Sequence, residues 1–332
     1  MTTVYTGTNG SWYSVNSNDV IGKGWQGTVY NIPSKVGYVL KIYKPEKRTP
    51  DLEAKIKAML ARPISSDALN MVAWPVDIVY ENNHFAGFVM PKAGNSEPIN
   101  VLYKANNEIH FSQKIAAAKN LCAAVNAVHE MGQVCGDLSP ANILADPQSG
   151  NITLVDTDSC HITDPQTKQV FRCSVGLAEY LPREIHAKVA DGIGLGNAPL
   201  PTFTESTDNF ALAVHIFALL MNGCHPFSCA KDMTAGRDSI VLPQPVENIC
   251  SGFSPFFMKK TGITVPGYAP DFECLPGEIQ TLFRRAFVFG HDFPEARPNA
   301  AEWYNALSGM CGPLEKSCSN ATHISSDIVF GM

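Results

Sequence analysis

The sequence predicts an α+β fold with a small β-rich N-terminal part and a larger, mainly helical C-terminal part. Short β-prone segments, separated by glycines, prolines and the pair Asn82-Asn83, fill roughly the first ninety residues. An Ala- and Leu-rich segment then extends from Phe111 to Met131, and the glycine at 132 is typical of a helix end. Because the pattern changes once, we expect two lobes joined by one short connection.

Composition indicates an ordinary globular protein, since 45% of the 332 residues are hydrophobic and 17% are charged. The net charge of −6 argues against a general nucleic-acid-binding surface, which is usually basic. The ten cysteines form no CxxC pair, so we expect reduced thiols and a cytoplasmic location. We expect no membrane association, because the first residues lack a signal-peptide pattern and the longest apolar stretch, residues 211–221, is too short to span a bilayer.

The strands of the N-terminal part are predicted from β-prone runs between turn residues. Residues 15–30 carry glycines between two such runs, which indicates two strands and a tight turn. Tyr38–Tyr43 should form a third strand, and residues 52–60 show the apolar spacing of a helix. Residues 77–80 and 84–90 should form a hairpin.

In the C-terminal part, the helix that starts at Phe111 precedes two short apolar runs, residues 142–145 and 152–155, with a turn between them. The remainder is predicted to be helix and loop, including a Gly-rich loop at residues 191–197. We place the domain boundaries as follows: an N-lobe over 1–93, a C-lobe over 94–308 and a C-terminal tail over 309–332. Cys311, Cys318 and His323 of this tail lack the fourth ligand and regular spacing of a zinc site.

A glycine-rich segment could bind a polyphosphate. Between Ile21 and Val29, the glycines Gly22, Gly24 and Gly27 have a spacing that lets backbone N–H groups approach phosphate oxygens closely. An ordinary hairpin turn is the alternative interpretation. The glycine-rich segment lies between two predicted strands. This position argues against a dinucleotide-binding fingerprint, which leads from a strand into a helix.

Lys41 lies in the middle of an apolar strand, where its charge costs several kcal/mol unless it is paired. Glu53, on the helix that follows, is a suitable partner, and the ammonium would then face the α- and β-phosphates of a nucleotide. A lysine that reaches solvent from an edge strand is the alternative.

Three oxygen-bearing side chains follow in the C-terminal part. Asp137 and Asn142 bracket a short proline-containing loop that leads into a strand, so a carboxylate could face a substrate hydroxyl while an amide oxygen binds a metal ion. Asp156 ends the next apolar strand and is suitable as a second metal ligand. Taken singly, each could belong to an ordinary turn.

In this order, these residues resemble the signature set of the eukaryotic-like protein kinase superfamily. Later landmarks agree with the resemblance. Leu181-Pro182-Arg183-Glu184 is similar to the block that closes the activation segment, and Arg297 matches the arginine that pairs with its glutamate, here Glu184. The resemblance extends over roughly residues 15–308 and implies a bilobal protein-kinase-like fold.

The resemblance also implies an activity and a set of site residues. The activity is that of an ATP-dependent protein serine/threonine kinase that uses Mg²⁺ or Mn²⁺. Asp137 would be the catalytic base, with Asn142 and Asp156 as metal ligands and Asn142 also close to the nucleotide. The implied nucleotide-binding residues of the N-lobe and hinge are Ile21, Gly22, Gly24, Gly27, Val29, Lys41 (with Glu53 as its partner), Met90 and Ala93. Pro91 has no N–H, so Ala93 should supply the hinge donor.

More narrowly, residues 136–142, 155–159 and 179–184 are similar to a bacterial kinase group. Its members are often associated with a helix-hairpin-helix DNA-binding segment, or occur in tellurite-resistance-type operons beside a phosphatase and a von Willebrand A protein. No helix-hairpin-helix is evident in this sequence. The resemblance therefore implies a protein substrate, and a cognate phosphatase and von Willebrand A protein as partners, without direct nucleic-acid binding.

The sequence departs from the superfamily pattern at three places. Gly136 stands where most kinases have an arginine that captures a phosphorylated activation segment, so we expect activity that does not depend on that switch. Ser139 replaces the lysine that contacts the γ-phosphate, which could make the enzyme slow. Thr157 and Asp158 replace Phe-Gly after Asp156, so we do not expect the usual flip of that segment to operate.

Two other functions fit the same fold. The first is a pseudokinase that serves as an ATP-binding scaffold for partner proteins. It is disfavoured because the chain keeps the base and both metal ligands. The second is a small-molecule kinase, such as an antibiotic or sugar phosphotransferase. It is disfavoured by the block at 181–184 together with Arg297, which belongs to a peptide-binding platform.

Overall fold

The structure, a computed structural model, describes residues 2–94, 96–104, 109–189, 203–233 and 241–310. It confirms the α+β, bilobal protein-kinase-like architecture with a β-rich N-lobe and a mainly helical C-lobe. The Gly-rich loop expected at 191–197 and the tail residues Cys311, Cys318 and His323 lie outside the described residues. The lobe boundaries at 93 and 308 stay a prediction.

The N-lobe is a seven-stranded antiparallel sheet with the strand order β2-β1-β6-β7-β5-β4-β3. Its elements are β1 (Thr3–Gly7), β2 (Trp12–Val15), β3 (Val20–Lys23), β4 (Gly27–Asn31), β5 (Tyr38–Tyr43), helix α1 (Pro50–Leu60), β6 (Asp77–Glu81) and β7 (His84–Pro91). The predicted hairpin turn at Asn82-Asn83 is confirmed, and both residues have the positive φ that such a turn requires. The hairpin of β1 and β2 was not predicted.

Alternation along β5 directs its side chains to two separate clusters. Leu40 and Ile42 pack with Tyr5 and Tyr13 of the N-terminal hairpin on one face of the sheet. Lys41 points to the other face, toward α1 and the C-lobe, together with Val39 and Tyr43, which lie two residues before and after it. The period of two residues therefore fixes which face carries the buried cation.

The C-lobe is built around a helix that is buried on all sides, α4, with the long helix α2 packed against it. Its helices are α2 (Phe111–Glu130), α3 (Arg183–His186), α4 (Glu205–Leu220), α5 (Pro245–Ser251), α6 (Gly277–Arg284), α7 (Gly290–Asp292) and α8 (Ala300–Gly309), with a π-helical turn at Arg285–Phe289. Its short strands are β8 (Glu97–Pro98), β9 (Ile143–Ala145), β10 (Ile152–Leu154), β11 (Ile162–Thr163), β12 (Val170–Phe171), β13 (Ala230–Lys231) and β14 (Ile263–Thr264). Phe217 of α4 is ringed by other phenylalanines, which makes α4 a rigid base for the loops above it.

Within the described residues, no helix is long and apolar enough to cross a membrane.

Candidate active site

The glycine-rich segment forms the turn between β3 and β4. The Gly24 amide donates to the Gly27 carbonyl at 2.8 Å and closes the turn. A side chain at Gly27 would meet the Ile42 carbonyl of β5 at 2.2 Å, so only glycine fits there. Gly22, by contrast, faces open space, and a side-chain carbon at Gly24 would meet only the Gly27 carbonyl oxygen, at 3.8 Å. The turn therefore leaves a free volume beside its backbone, as a phosphate-covering loop requires.

The tip of this turn reaches the buried lysine. The Gln26 side-chain oxygen accepts a hydrogen bond from Lys41 Nζ at 3.1 Å, whereas the neighbouring Trp25 is exposed and lies under the Lys47 ammonium. Gln26 is a site residue that sequence reasoning missed. Its polar side chain at the tip of the glycine-rich turn was the available signal.

Lys41 is only 6% exposed and is paired twice with carboxylates of the C-lobe. Its Nζ lies 2.5 Å from Asp156 Oδ1 and 2.7 Å from Asp158 Oδ1, and the Tyr43 hydroxyl donates to Asp158 Oδ2 at 2.6 Å. Burial alone would lower the pKa of Lys41, but the two carboxylates outweigh it and raise that pKa. The lysine is thus charged.

The predicted partner of Lys41 is wrong. Glu53 accepts a hydrogen bond from the Tyr80 hydroxyl at 2.9 Å and pairs with Lys57, one turn along α1, at 2.6 Å. The reason is the rotation of α1 about its axis. Lys55 and Ile56 lie on the buried side of the helix, whereas Glu53 lies at the edge of that side. Apolar spacing located the helix but did not fix which carboxylate would face the lysine.

The predicted base and metal ligands come together at the start of β9 and the end of β10. Because Leu154 pairs with Ile143 in this antiparallel ladder, the residues just outside the pair, Asn142 and Val155, are also opposite each other. The Asn142 amide nitrogen donates to Asp137 Oδ2 at 2.8 Å and to the Asp137 carbonyl at 3.1 Å. Asp137, Asn142 and Asp156 therefore line one small cavity.

The environments of the carboxylates of Asp137 and Asp156 differ. Burial raises the pKa of Asp137, while hydrogen bonds from Ser139 and Asn142 oppose this and the nearby charge of Asp156 adds to it. Asp156 is 38% exposed and has a left-handed backbone (φ 56°), a conformation that a non-glycine residue adopts at a cost of about 1 kcal/mol or more. Such strain is concentrated at functional sites.

The side-chain oxygens of Asn142 and Asp156 are suitable ligands for a hard divalent cation. The Asn142 amide is oriented by the two hydrogen bonds that its nitrogen donates to Asp137, which leaves its oxygen as a ligand. The carboxylate of Asp156 is accessible, and oxygen ligands of this kind are preferred by Mg²⁺ and Mn²⁺. Within the described part of the chain, no group of three or more His, Cys, Asp and Glu side chains forms a separate metal site.

The loop that carries Asp137 is held from below by α4. Asp208 accepts hydrogen bonds from the Cys135 amide at 2.7 Å and the Gly136 amide at 2.8 Å, and it pairs with His129 at 2.8 Å. His215, farther along α4, donates from Nε2 to the Leu138 carbonyl at 2.7 Å. Burial lowers the pKa of His215 to about 4, so this histidine is neutral and structural.

The local backbone of this chain at Gly136 does not accommodate an arginine. Its φ of 78° lies in the left-handed region that favours glycine, and a side chain there would come within 2.8 Å of Cys173 Cβ. The departure seen in the sequence therefore has a steric cause.

Two further features bear on the sequence analysis. Arg297 binds Glu184 through both terminal nitrogens, at 2.5 and 2.9 Å, as the resemblance implies. In the hinge, the Lys92 amide donates to the Gly37 carbonyl. The Ala93 amide has no backbone acceptor among the described residues, and its role as the hinge donor stays a prediction.

A model of the family described as "Protein kinase domain" matches residues 15–251. The chain belongs to the protein kinase family. This match covers the glycine-rich turn, the Asp137 loop, Asp156 and α4.

Similar curated proteins support the resemblance of this chain to a bacterial kinase group. The chain is 28% identical to Protein kinase YegI of Escherichia coli O157:H7 over 335 residues, with 97% of this chain and 48% of the relative covered. Protein kinase YegI of Escherichia coli strain K12 gives 28% over 317 residues, with 92% and 46% covered. Myotonin-protein kinase of Mus musculus is 27% identical over 148 residues, with 45% and 22% covered. The chain thus spans about half the length of the YegI relatives.

Proposed function

We propose that this chain binds ATP with a divalent metal ion and transfers the γ-phosphoryl group to a serine or threonine hydroxyl of a protein. The observation that carries the proposal is the convergence of Lys41, Asp137, Asn142 and Asp156, which are far apart in the chain, at one site beneath the glycine-rich turn. The relatives' description as protein kinases supports it.

Each of these side chains has a role that its geometry supports. Lys41 would hold the phosphates under the turn, and the backbone amides between Gly24 and Gly27 would cover them. Asn142 and Asp156 would hold the metal ion, which supplies neutralisation of phosphate charge when bound. Asp137, oriented by Asn142, would accept the proton of the acceptor hydroxyl. The Ala93 amide would donate a hydrogen bond to the adenine ring.

Transfer depends mainly on positioning and charge, so the absence of a lysine at Ser139 should slow the reaction without preventing it. Mg²⁺ as the preferred metal, a cytoplasmic location, and a phosphatase and von Willebrand A protein as partners stay predictions of the resemblance.

The test is transfer of label from γ-³²P-ATP to a generic protein substrate, with Mg²⁺ and then Mn²⁺. Asp137→Asn keeps the shape of the side chain and removes the base, so we expect a loss of roughly 100-fold or more. Asp146→Asn, in the exposed turn between β9 and β10, is the matched control and should retain activity. Acid hydrolysis of the product should give phosphoserine or phosphothreonine.

Equal label from the wild type and the Asp137 variant would show that the base is wrongly assigned. ATP binding by a wild-type chain that transfers no phosphate would support the scaffold function instead. Phosphotyrosine as the main product would contradict the serine/threonine specificity.

A further inference from the structure

Asp158 is the most completely buried charged group at the site. Its side chain is 0% exposed, and both of its oxygens lie 2.7 Å from Lys41 Nζ. Tyr43 lies two residues after Lys41 in β5, and its hydroxyl donates a hydrogen bond to Asp158 Oδ2 at 2.6 Å. A carboxylate this deep in the protein is stable only with such partners, so Asp158 has no freedom to leave Lys41.

Helix α1 has no carboxylate in position to take this place. Glu53 is engaged by Tyr80 and Lys57, and its side chain is 25% exposed. The buried residues of α1 are Lys55, Ile56, Ala58 and Met59, none of which is acidic. The inner side of α1 therefore offers no carboxylate to Lys41.

The two carboxylates around Lys41 differ in a way that suggests different duties. Asp156 is 38% exposed and is bound to Lys41 through one oxygen, while Asp158 is enclosed and bound through both. Asp156 can therefore exchange Lys41 for a metal ion, but Asp158 cannot.

We propose that Asp158 is the permanent partner that positions Lys41 for the nucleotide phosphates, in place of Glu53. Asp156 then releases Lys41 when it binds the metal ion. Asp158 is a positioning residue, since it acts through Lys41. In this chain, the lysine is anchored without any movement of α1. The role of Lys41 toward phosphate rests on the proposed function, whereas the anchoring itself does not.

The anchoring is tested by unfolding of the full chain without nucleotide. Asp158→Asn leaves Lys41 with the partly exposed Asp156 as its one carboxylate partner and should lower the Tm by several degrees. Adding Lys41→Met removes the unmatched charge and should recover at least about 3 °C of that loss. Glu53→Gln should change the Tm by the same amount in the wild type and in the Lys41→Met variant. Additive effects of Asp158→Asn and Lys41→Met would overturn the proposal.

The effect on catalysis is tested by kcat/KM for Mg·ATP. Asp158→Asn should lose roughly tenfold to a hundredfold because it misplaces Lys41, and its loss should exceed that of Glu53→Gln by about tenfold. In the Lys41→Met background, Asp158→Asn should add less than twofold. A larger loss from Glu53→Gln than from Asp158→Asn would overturn the positioning role.

The two experiments separate the two proposals. If the wild-type chain transfers no phosphate, the proposed function fails, yet the Tm cycle still decides whether Asp158 anchors Lys41. If the Tm values of the two variants are additive while transfer is normal, the inference about Asp158 fails alone.

Discussion

At the scale of single residues, the site depends on groups whose charge is decided by their burial and by one or two partners. Lys41 stays charged because two carboxylates outweigh its burial, and His215 stays neutral because burial lowers its pKa to about 4. His129 is the opposite case. Burial would lower the pKa of His129, but its hydrogen bond to Asp208 raises that pKa. The same Asp208 holds the amides next to the catalytic loop.

This pair predicts a pH dependence of stability. Because the pKa of His129 is higher in the folded than in the unfolded chain, its stabilisation is complete below the unfolded pKa of about 6.5 and is lost as the pH rises through the folded pKa. His129→Gln should therefore lower the free energy of unfolding more at pH 6 than at pH 8, as measured by urea denaturation. His84→Gln, at the exposed start of β7, is the control. A cost of His129→Gln that is equal at both pH values would contradict the interpretation.

At the scale of elements, the N-terminal hairpin is the part of the N-lobe that the sequence pattern did not reveal. It extends the sheet beyond β6 and is attached there by Asp77, which is 2% exposed. Asp77 accepts hydrogen bonds from the Thr8 amide at 3.0 Å, the Thr8 hydroxyl at 2.5 Å and the Tyr13 hydroxyl at 2.8 Å. Gly7 makes this approach feasible, since a side chain there would collide with Asp77 Oδ2.

Loss of this attachment should destabilise the whole N-lobe. Asp77→Ala removes three hydrogen bonds to a buried carboxylate and should lower the free energy of unfolding by about 3 kcal/mol or more. Tyr13→Phe removes one of them and should cost about 1–2 kcal/mol. Both values can be measured by urea denaturation. A cost below about 1 kcal/mol for Asp77→Ala would show that the hairpin does not support the sheet.

Elements with a strong local pattern could be predicted, while their rotations and partners could not. The strand around Lys41, helix α1 and the β9–β10 pair follow from apolar periodicity and turn residues. Which side of α1 faces Lys41 depends on packing against the C-lobe, so the sequence favoured Glu53 as the partner. A second carboxylate two residues after Asp156 was the only local sign of Asp158, and its burial depends on the whole fold.

At the scale of the whole molecule, the charges of the site connect the two lobes, which also share one apolar core. Lys41 of the N-lobe sheet is bound to two carboxylates that follow β10, and the glycine-rich turn reaches the same lysine through Gln26. Under the proposed function, a metal-bound nucleotide would replace the contact of Lys41 with Asp156, whereas the contact with Asp158 would remain. Binding of nucleotide and of metal should therefore be coupled.

The measurement that tests this most directly is calorimetric titration of ATP into the full chain, with Mg²⁺ present and with the metal removed by EDTA. The expected result is binding that weakens roughly tenfold or more without metal, and by a similar factor in Asp156→Asn with metal present, because each loses charge-assisted contacts. Asp146→Asn should bind as the wild type does. ATP affinity that is the same with and without Mg²⁺, and the same in wild type and Asp156→Asn, would contradict a shared metal–nucleotide site.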